Sequence, residues 1–72
     1  MNFHERLTKL LEEEGVTKKQ VSEGTGISLY RINSWLKGTR TPNGKHILIL
    51  SCFFDVSTDF LLGRVDENGK AH

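Results

Sequence analysis

The residues best equipped for chemistry lie close together, in LYRINSWLKGTR from Leu29 to Arg40. If this stretch begins as a helix, an advance of about 100° per residue divides it into two faces. Ile32, Trp35 and Leu36 fall on one side and should pack inward. Tyr30, Asn33, Ser34 and Lys37 fall on the other. Leu29 lies at the border, open to core packing or to an external contact. The outward set suits recognition. An asparagine amide can bond adenine bidentately, an apolar side chain can pack on a thymine methyl, and a tyrosine can do either. Arg31 can reach a phosphate or a guanine edge. Trp35 fits a core better than a stacking platform.

Catalytic chemistry finds no such grouping. His4, His46 and His72 are scattered and have no metal-ligand spacing with Cys52. No glycine-rich phosphate loop follows a strand. The reading is therefore not an enzyme, with no cofactor and no metal. His46 is expected as a polar position on a helix, and Cys52 as a small hydrophobe.

The elements that must position this face are marked by their caps. The segment VTKKQVSEGTGISLYRINSWLKG, Val16 to Gly38, holds two helix starts on one plan, eleven residues apart. Val16 precedes the N-cap Thr17, and Val21 lies four past it; Ile27 precedes the N-cap Ser28, and Ile32 lies four past it. Each is a hydrophobic staple, and Thr17 with Gln20 also fits a capping box. The turn falls at Thr25-Gly26, where glycine can take the left-handed conformation that ends a helix. Two short helices joined by such a turn make a helix-turn-helix, which points to DNA.

The spacing predicts helices over Phe3 to Glu14, Lys18 to Thr25 and Leu29 to Lys37. A fourth should start after Asn43 with Ile47, Leu50 and Phe54 as its stripe, although Ile47–Leu50 also reads as a strand. A third staple, Val56-Ser57 with Leu61, marks a fifth helix ending at Gly63. Five short helices, all-α, should share one domain over 1–63, followed by a polar, disordered tail over 64–72.

Net charge is only +1, but it is polarised. Residues 17–46 carry Lys18, Lys19, Arg31, Lys37, Arg40 and Lys45 against Glu23 alone, a local balance of +5. The rest of the chain is net acidic. Such a molecule can turn one side toward phosphates. Thr17, Lys18, Lys19, Lys37, Thr39 and Arg40, with Arg31, stand at turns and helix ends around the readout segment, where phosphate contacts lie. Contacts of that kind set register and affinity without carrying sequence information.

Taken together, four segments resemble the lambda-repressor-like, or Cro/cI-type, helix-turn-helix family. They are RLTKLLEEEGVTKKQV, SEGTGIS, INSWLKGTRTP and FDVSTDFLLGR, in order and at the family's spacing from about Phe3 to Gly63. The resemblance implies a five-helix DNA-binding domain. It also implies base-reading roles for Leu29, Tyr30, Asn33 and Ser34. The chain departs from the pattern in having Lys18 after Thr17, Ser22 for a common alanine, and Leu36 where glutamate is frequent.

The expected function is a sequence-specific double-stranded DNA-binding transcriptional regulator, a repressor acting by operator occupancy. The alternatives are an antitoxin-like or accessory DNA-binding subunit, or a protein-interaction module that keeps the fold. Family members commonly act as two-fold dimers. The surplus apolar residues Ile49, Cys52 and Phe53, joined by Phe60, are the expected homodimer interface. The lone Cys52 suits a reducing compartment. With no apolar h-region and no run longer than Ile47–Leu50, a cytoplasmic protein without membrane attachment is expected.

Overall fold

The computed structural model describes residues 2–65, and five helices run through them. They are α1 (Phe3–Glu14), α2 (Lys18–Thr25), α3 (Leu29–Lys37), α4 (Gly44–Phe54) and α5 (Thr58–Leu61). Every start is a side-chain cap. Asn2 and Thr17 close capping boxes with Glu5 and Gln20. Ser28, Asn43 and Ser57 each accept the N–H three residues on. Segments of four to twelve residues are too short to hold as isolated helices in water. Caps at both ends and one shared core make them persist.

The stops are equally local. Gly15, Gly26 and Gly38 end α1, α2 and α3 in the left-handed region. Asp55 does the same for α4 at φ 55°, a conformation that a short polar side chain tolerates. The alternative of a strand at Ile47–Leu50 is settled as helix. Helix α5 runs to Leu61, Leu62 keeps right-handed backbone angles, and Gly63 at φ 75° closes the end as the sequence predicts.

One cluster packs the interior: Phe3, Leu7 and Leu10 of α1; Val21 of α2; Ile27 of the turn; Ile32 and Trp35 of α3; Ile47, Leu50 and Phe54 of α4; and Leu61 of α5. Both members of the Ile27–Ile32 staple are buried. Trp35 lies at the junction, edge-on to Phe3 with ring centres 6.1 Å apart. Glycine matters at the α2–α4 crossing. A Cβ on Gly24 would stand 2.5 Å from Cε1 of Phe53, so the missing side chain lets that ring lie on α2.

Arg6 is a feature the sequence pattern did not mark. It is buried in α1, where its guanidinium lies 3.9 Å from the centre of the Phe60 ring and donates to the Val65 carbonyl at 3.1 Å. This contact corrects two expectations. Phe60 is half-buried against α1 rather than presented with the α4 residues. Arg64 and Val65 belong to the folded part, since the Arg64 N–H also donates to the Asp59 carbonyl at 2.9 Å. The rest of the expected tail, 66–72, lies outside the described residues.

Trp35→Ala should destabilise the domain by about 3–5 kcal/mol. A chain of this size has only roughly 4–11 kcal/mol in all. Urea denaturation followed by far-ultraviolet circular dichroism should show a large drop in midpoint. An unchanged midpoint would remove Trp35 from the core.

Candidate nucleic-acid interface

The open face of α3 exists because its other face is consumed by the core. Ile32 and Trp35 are buried, and Leu36 packs against them from the edge. On the remaining surface Leu29, Tyr30 and Arg31 are exposed and Asn33 is half-buried. Tyr30 is the most open of the large apolar side chains at 66%. No hydrogen bond ties the Asn33 amide to another of the described residues.

Ser34 is not on that face. It is buried at 8% exposure, and its hydroxyl donates to the Tyr30 carbonyl at 3.0 Å. The 100° rule placed it outward because the rule sees only the helix. The chain after α3 folds back, and Thr39 gives both its N–H, at 3.0 Å, and its hydroxyl, at 3.1 Å, to the Ser34 carbonyl. The base-reading assignment of Ser34 is therefore withdrawn, and Ser34 becomes the anchor of the following loop.

The turn that sets α3 against α2 is held by side chains that the cap pattern did not reveal. Ser22 donates to the Ile27 carbonyl at 2.6 Å. Thr25 donates to the Val21 carbonyl and accepts from the Ile27 N–H. Ser22, the departure from alanine, thus ties helix to turn.

Exposed basic groups lie on α2, α3, the loop after it and the start of α4: Lys18, Lys19, Arg31, Lys37, Arg40 and Lys45. The Thr17 hydroxyl caps α2 by accepting from the Gln20 N–H at 3.1 Å, and Thr39 is engaged as above. Two placements bring α3 into contact with the loop after it and with α4. The Arg40 guanidinium lies 5.6 Å from the centre of the Tyr30 ring. His46, near the start of α4, tilts against Trp35 with ring centres 5.3 Å apart. Burial and the positive charges of Arg31 and Lys45 hold its imidazole below the ordinary value of 6.5. Its Nδ1 is buried with no hydrogen-bond partner among the described residues. His46 is therefore a packing residue between α3 and α4 rather than the simple polar position expected.

A second surface lies across α2 and α4. Gly24, Thr25, Leu48, Ile49, Cys52 and Phe53 line a shallow apolar groove. Leu48 is 60% exposed and was absent from the expected interface, while Ile49 is half-buried against the core. Phe60 is not among the lining residues. Among the described residues, no cluster of three or more His, Cys, Asp or Glu comes together to hold a metal. No helix there is long and apolar enough to cross a membrane.

Comparison with known proteins bears on this arrangement. A family model described as helix-turn-helix matches residues 7–61. The chain is 33% identical over 70 residues to the HTH-type transcriptional regulator ImmR of Bacillus subtilis (strain 168), a match covering 97% of this chain and 54% of ImmR. It is 34% identical over 62 residues to the HTH-type transcriptional activator BcrR of Enterococcus faecalis, covering 86% of this chain and 30% of BcrR. A crystal structure of a transcriptional regulator from Listeria innocua superposes with a TM-score of 0.80 at 27% identity, covering 92% of this chain and 62% of that one. The chain thus spans about half the length of one curated relative and less than a third of the other.

The placement of His46 has a consequence for stability. Its folded pKa is lowered, so as pH falls the unfolded chain takes up the proton first. The stability contributed by the neutral ring is complete above about 6.5 and drains away as pH falls toward the folded value. Chemical denaturation between neutral and mildly acidic pH should show a steeper loss for the native chain than for His46→Gln. Parallel profiles would show that His46 is not held in its neutral form.

Proposed function

The chain belongs to the helix-turn-helix family, and from that premise we propose that it is a sequence-specific, double-stranded DNA-binding transcriptional regulator acting by operator occupancy. The observation that carries this is the two-sided character of α3. One face is locked in the core by Ile32 and Trp35, and the other offers Leu29, Tyr30, Arg31 and Asn33 to a partner. Those groups match the base edges of a major groove: an amide for adenine, an apolar or aryl surface for a thymine methyl, a guanidinium for guanine or phosphate. The proposed phosphate contacts are Thr17, Lys18, Lys19, Arg31, Lys37, Thr39 and Arg40. Their excess of positive charge supports a partner of dense negative charge. Repression by this route needs occupancy of the operator and no catalytic step.

This reading predicts a division of labour. Affinity for duplex DNA should fall steeply with salt, and Lys18→Ala should reduce the slope of log affinity against log salt by about 1. Asn33→Ala should relax preference at particular base pairs and cost about 1–3 kcal/mol on the preferred site. Mobility shifts across a salt series, followed by binding-site selection, test both. Wild-type affinity that ignores salt would sink the DNA reading, and an unchanged selected motif would remove Asn33 from base readout.

The chain is also proposed to act as a homodimer. One recognition helix reads too few base pairs for a unique address, and a two-fold pair sets two of them about 34 Å apart on the duplex. The α4 face favours self-association because Leu48, Ile49, Cys52 and Phe53 carry no charge that pairing would bury. Phe60 leaves this set and Leu48 enters it. Leu48→Asp is the suitable probe, since Leu48 is exposed and takes no part in the core. Analytical ultracentrifugation should find a wild-type dimer at high concentration and a Leu48→Asp monomer with the same far-ultraviolet circular dichroism spectrum. A wild-type monomer both free and on a two-half-site duplex would overturn the dimer.

A further inference from the structure

We infer that Arg40 is a specificity-determining residue that acts through Tyr30, not only a carrier of positive charge; this rests on the DNA-binding reading above. Tyr30 is the most exposed of the large apolar side chains at 66%, so the core does little to fix its ring. A ring with free rotamers selects among bases poorly, because each side-chain arrangement reads a different edge. Arg40 supplies the missing constraint, with its guanidinium carbon 5.6 Å from the ring centre.

This placement arises from a connected series of hydrogen bonds. The Ser34 hydroxyl binds the Tyr30 carbonyl, one helical turn back. The Ser34 carbonyl in turn takes two donors from Thr39, the residue just before Arg40. The loop is thereby pinned to the turn of α3 that carries Tyr30, and Arg40 is delivered over its ring. Pro42, two residues on, fixes φ and limits the loop's freedom further.

Arginine is suited to this position in a way lysine is not. A guanidinium stacks with its face and donates hydrogen bonds from its edge, so it can hold a ring and a phosphate together. An ammonium is a point charge and cannot do both with the same geometry. Arg40 thus joins the backbone contact, which sets register, to the base contact, which reads sequence. Its loss should be felt in both.

The experiment is binding-site selection and titration with wild type, Arg40→Lys, Arg40→Ala, Tyr30→Ala and the Tyr30→Ala/Arg40→Lys double variant. Arg40→Lys keeps a positive charge, so its affinity for random duplex should fall less than that of Arg40→Ala. It should lose about 2–5-fold of the preference at the same base pair that Tyr30→Ala loosens, the range expected for an exposed cation–π contact. The double variant should be no looser than Tyr30→Ala. In the free protein, the Arg40 δ-methylene protons should show a ring-current shift in the NMR spectrum that disappears in Tyr30→Ala. A selected motif unchanged in Arg40→Lys, or loosening that simply adds in the double variant, overturns the inference while leaving DNA binding intact. A wild-type protein without salt-sensitive duplex affinity would overturn both.

Discussion

The burial of Trp35 and Ile32 is the constraint on which the rest of the structure depends. A nine-residue helix cannot hold itself together in water, so α3 keeps its shape only while one face is committed to the core. Trp35 makes that commitment against two elements at once, meeting Phe3 of α1 and His46 of α4. Because the inward face is fixed to both, the outward face is presented at a defined angle to α1, to α4 and to the loop between α3 and α4. Rigidity on one side is what makes recognition on the other side possible.

The charges are divided in the same way. The basic groups gather between Thr17 and His46, while the acids stand mainly at the end of α1 and beyond α4. A net charge of +1 therefore conceals a basic middle segment of chain flanked by acidic ones. Arg31 and Lys45 are close enough to act on the His46 ring that packs between α3 and α4. Packing and electrostatics are thus joined at the start of α4, where one imidazole feels both the core beneath it and the cations around it.

Side-chain to backbone hydrogen bonds supply the precision. Ser22 and Thr25 tie the turn before α3, and Ser34 and Thr39 tie the loop after it. Each removes freedom from a connection that would otherwise let the helix rock. The deviations from the family pattern are informative in this light. Ser22 replaces a common alanine and gains a hydrogen bond that alanine cannot make. Leu36, where glutamate is frequent, adds apolar contact to the edge of the core. Neither change disturbs the helix order, and both tighten the frame around α3.

Helix starts and stops were legible in the sequence because their causes are local. A cap joins residues three apart, a left-handed stop needs one glycine, and a staple spans five positions. Thr17, Ser28, Asn43 and Ser57 could therefore be read in order, with the core stripe of each helix following from its period. The residues that escaped such reading are those whose environment comes from distant parts of the chain. Ser34 is buried by the returning loop, and Arg6 is covered by Phe60 and Val65 from the far end of the described chain. His46 is pressed on Trp35, and Phe53 rests on Gly24 across the α2–α4 crossing. Helical periodicity assigns a side chain to a direction. Whether that direction holds solvent or another segment is decided only when the helices pack. The sequence by itself determined where each helix begins, where a glycine ends it and which stripe goes inward, through interactions within a turn or two of chain. The tertiary structure decided which polar groups stay exposed and which neighbours they meet, since those contacts exist only after the loops have closed.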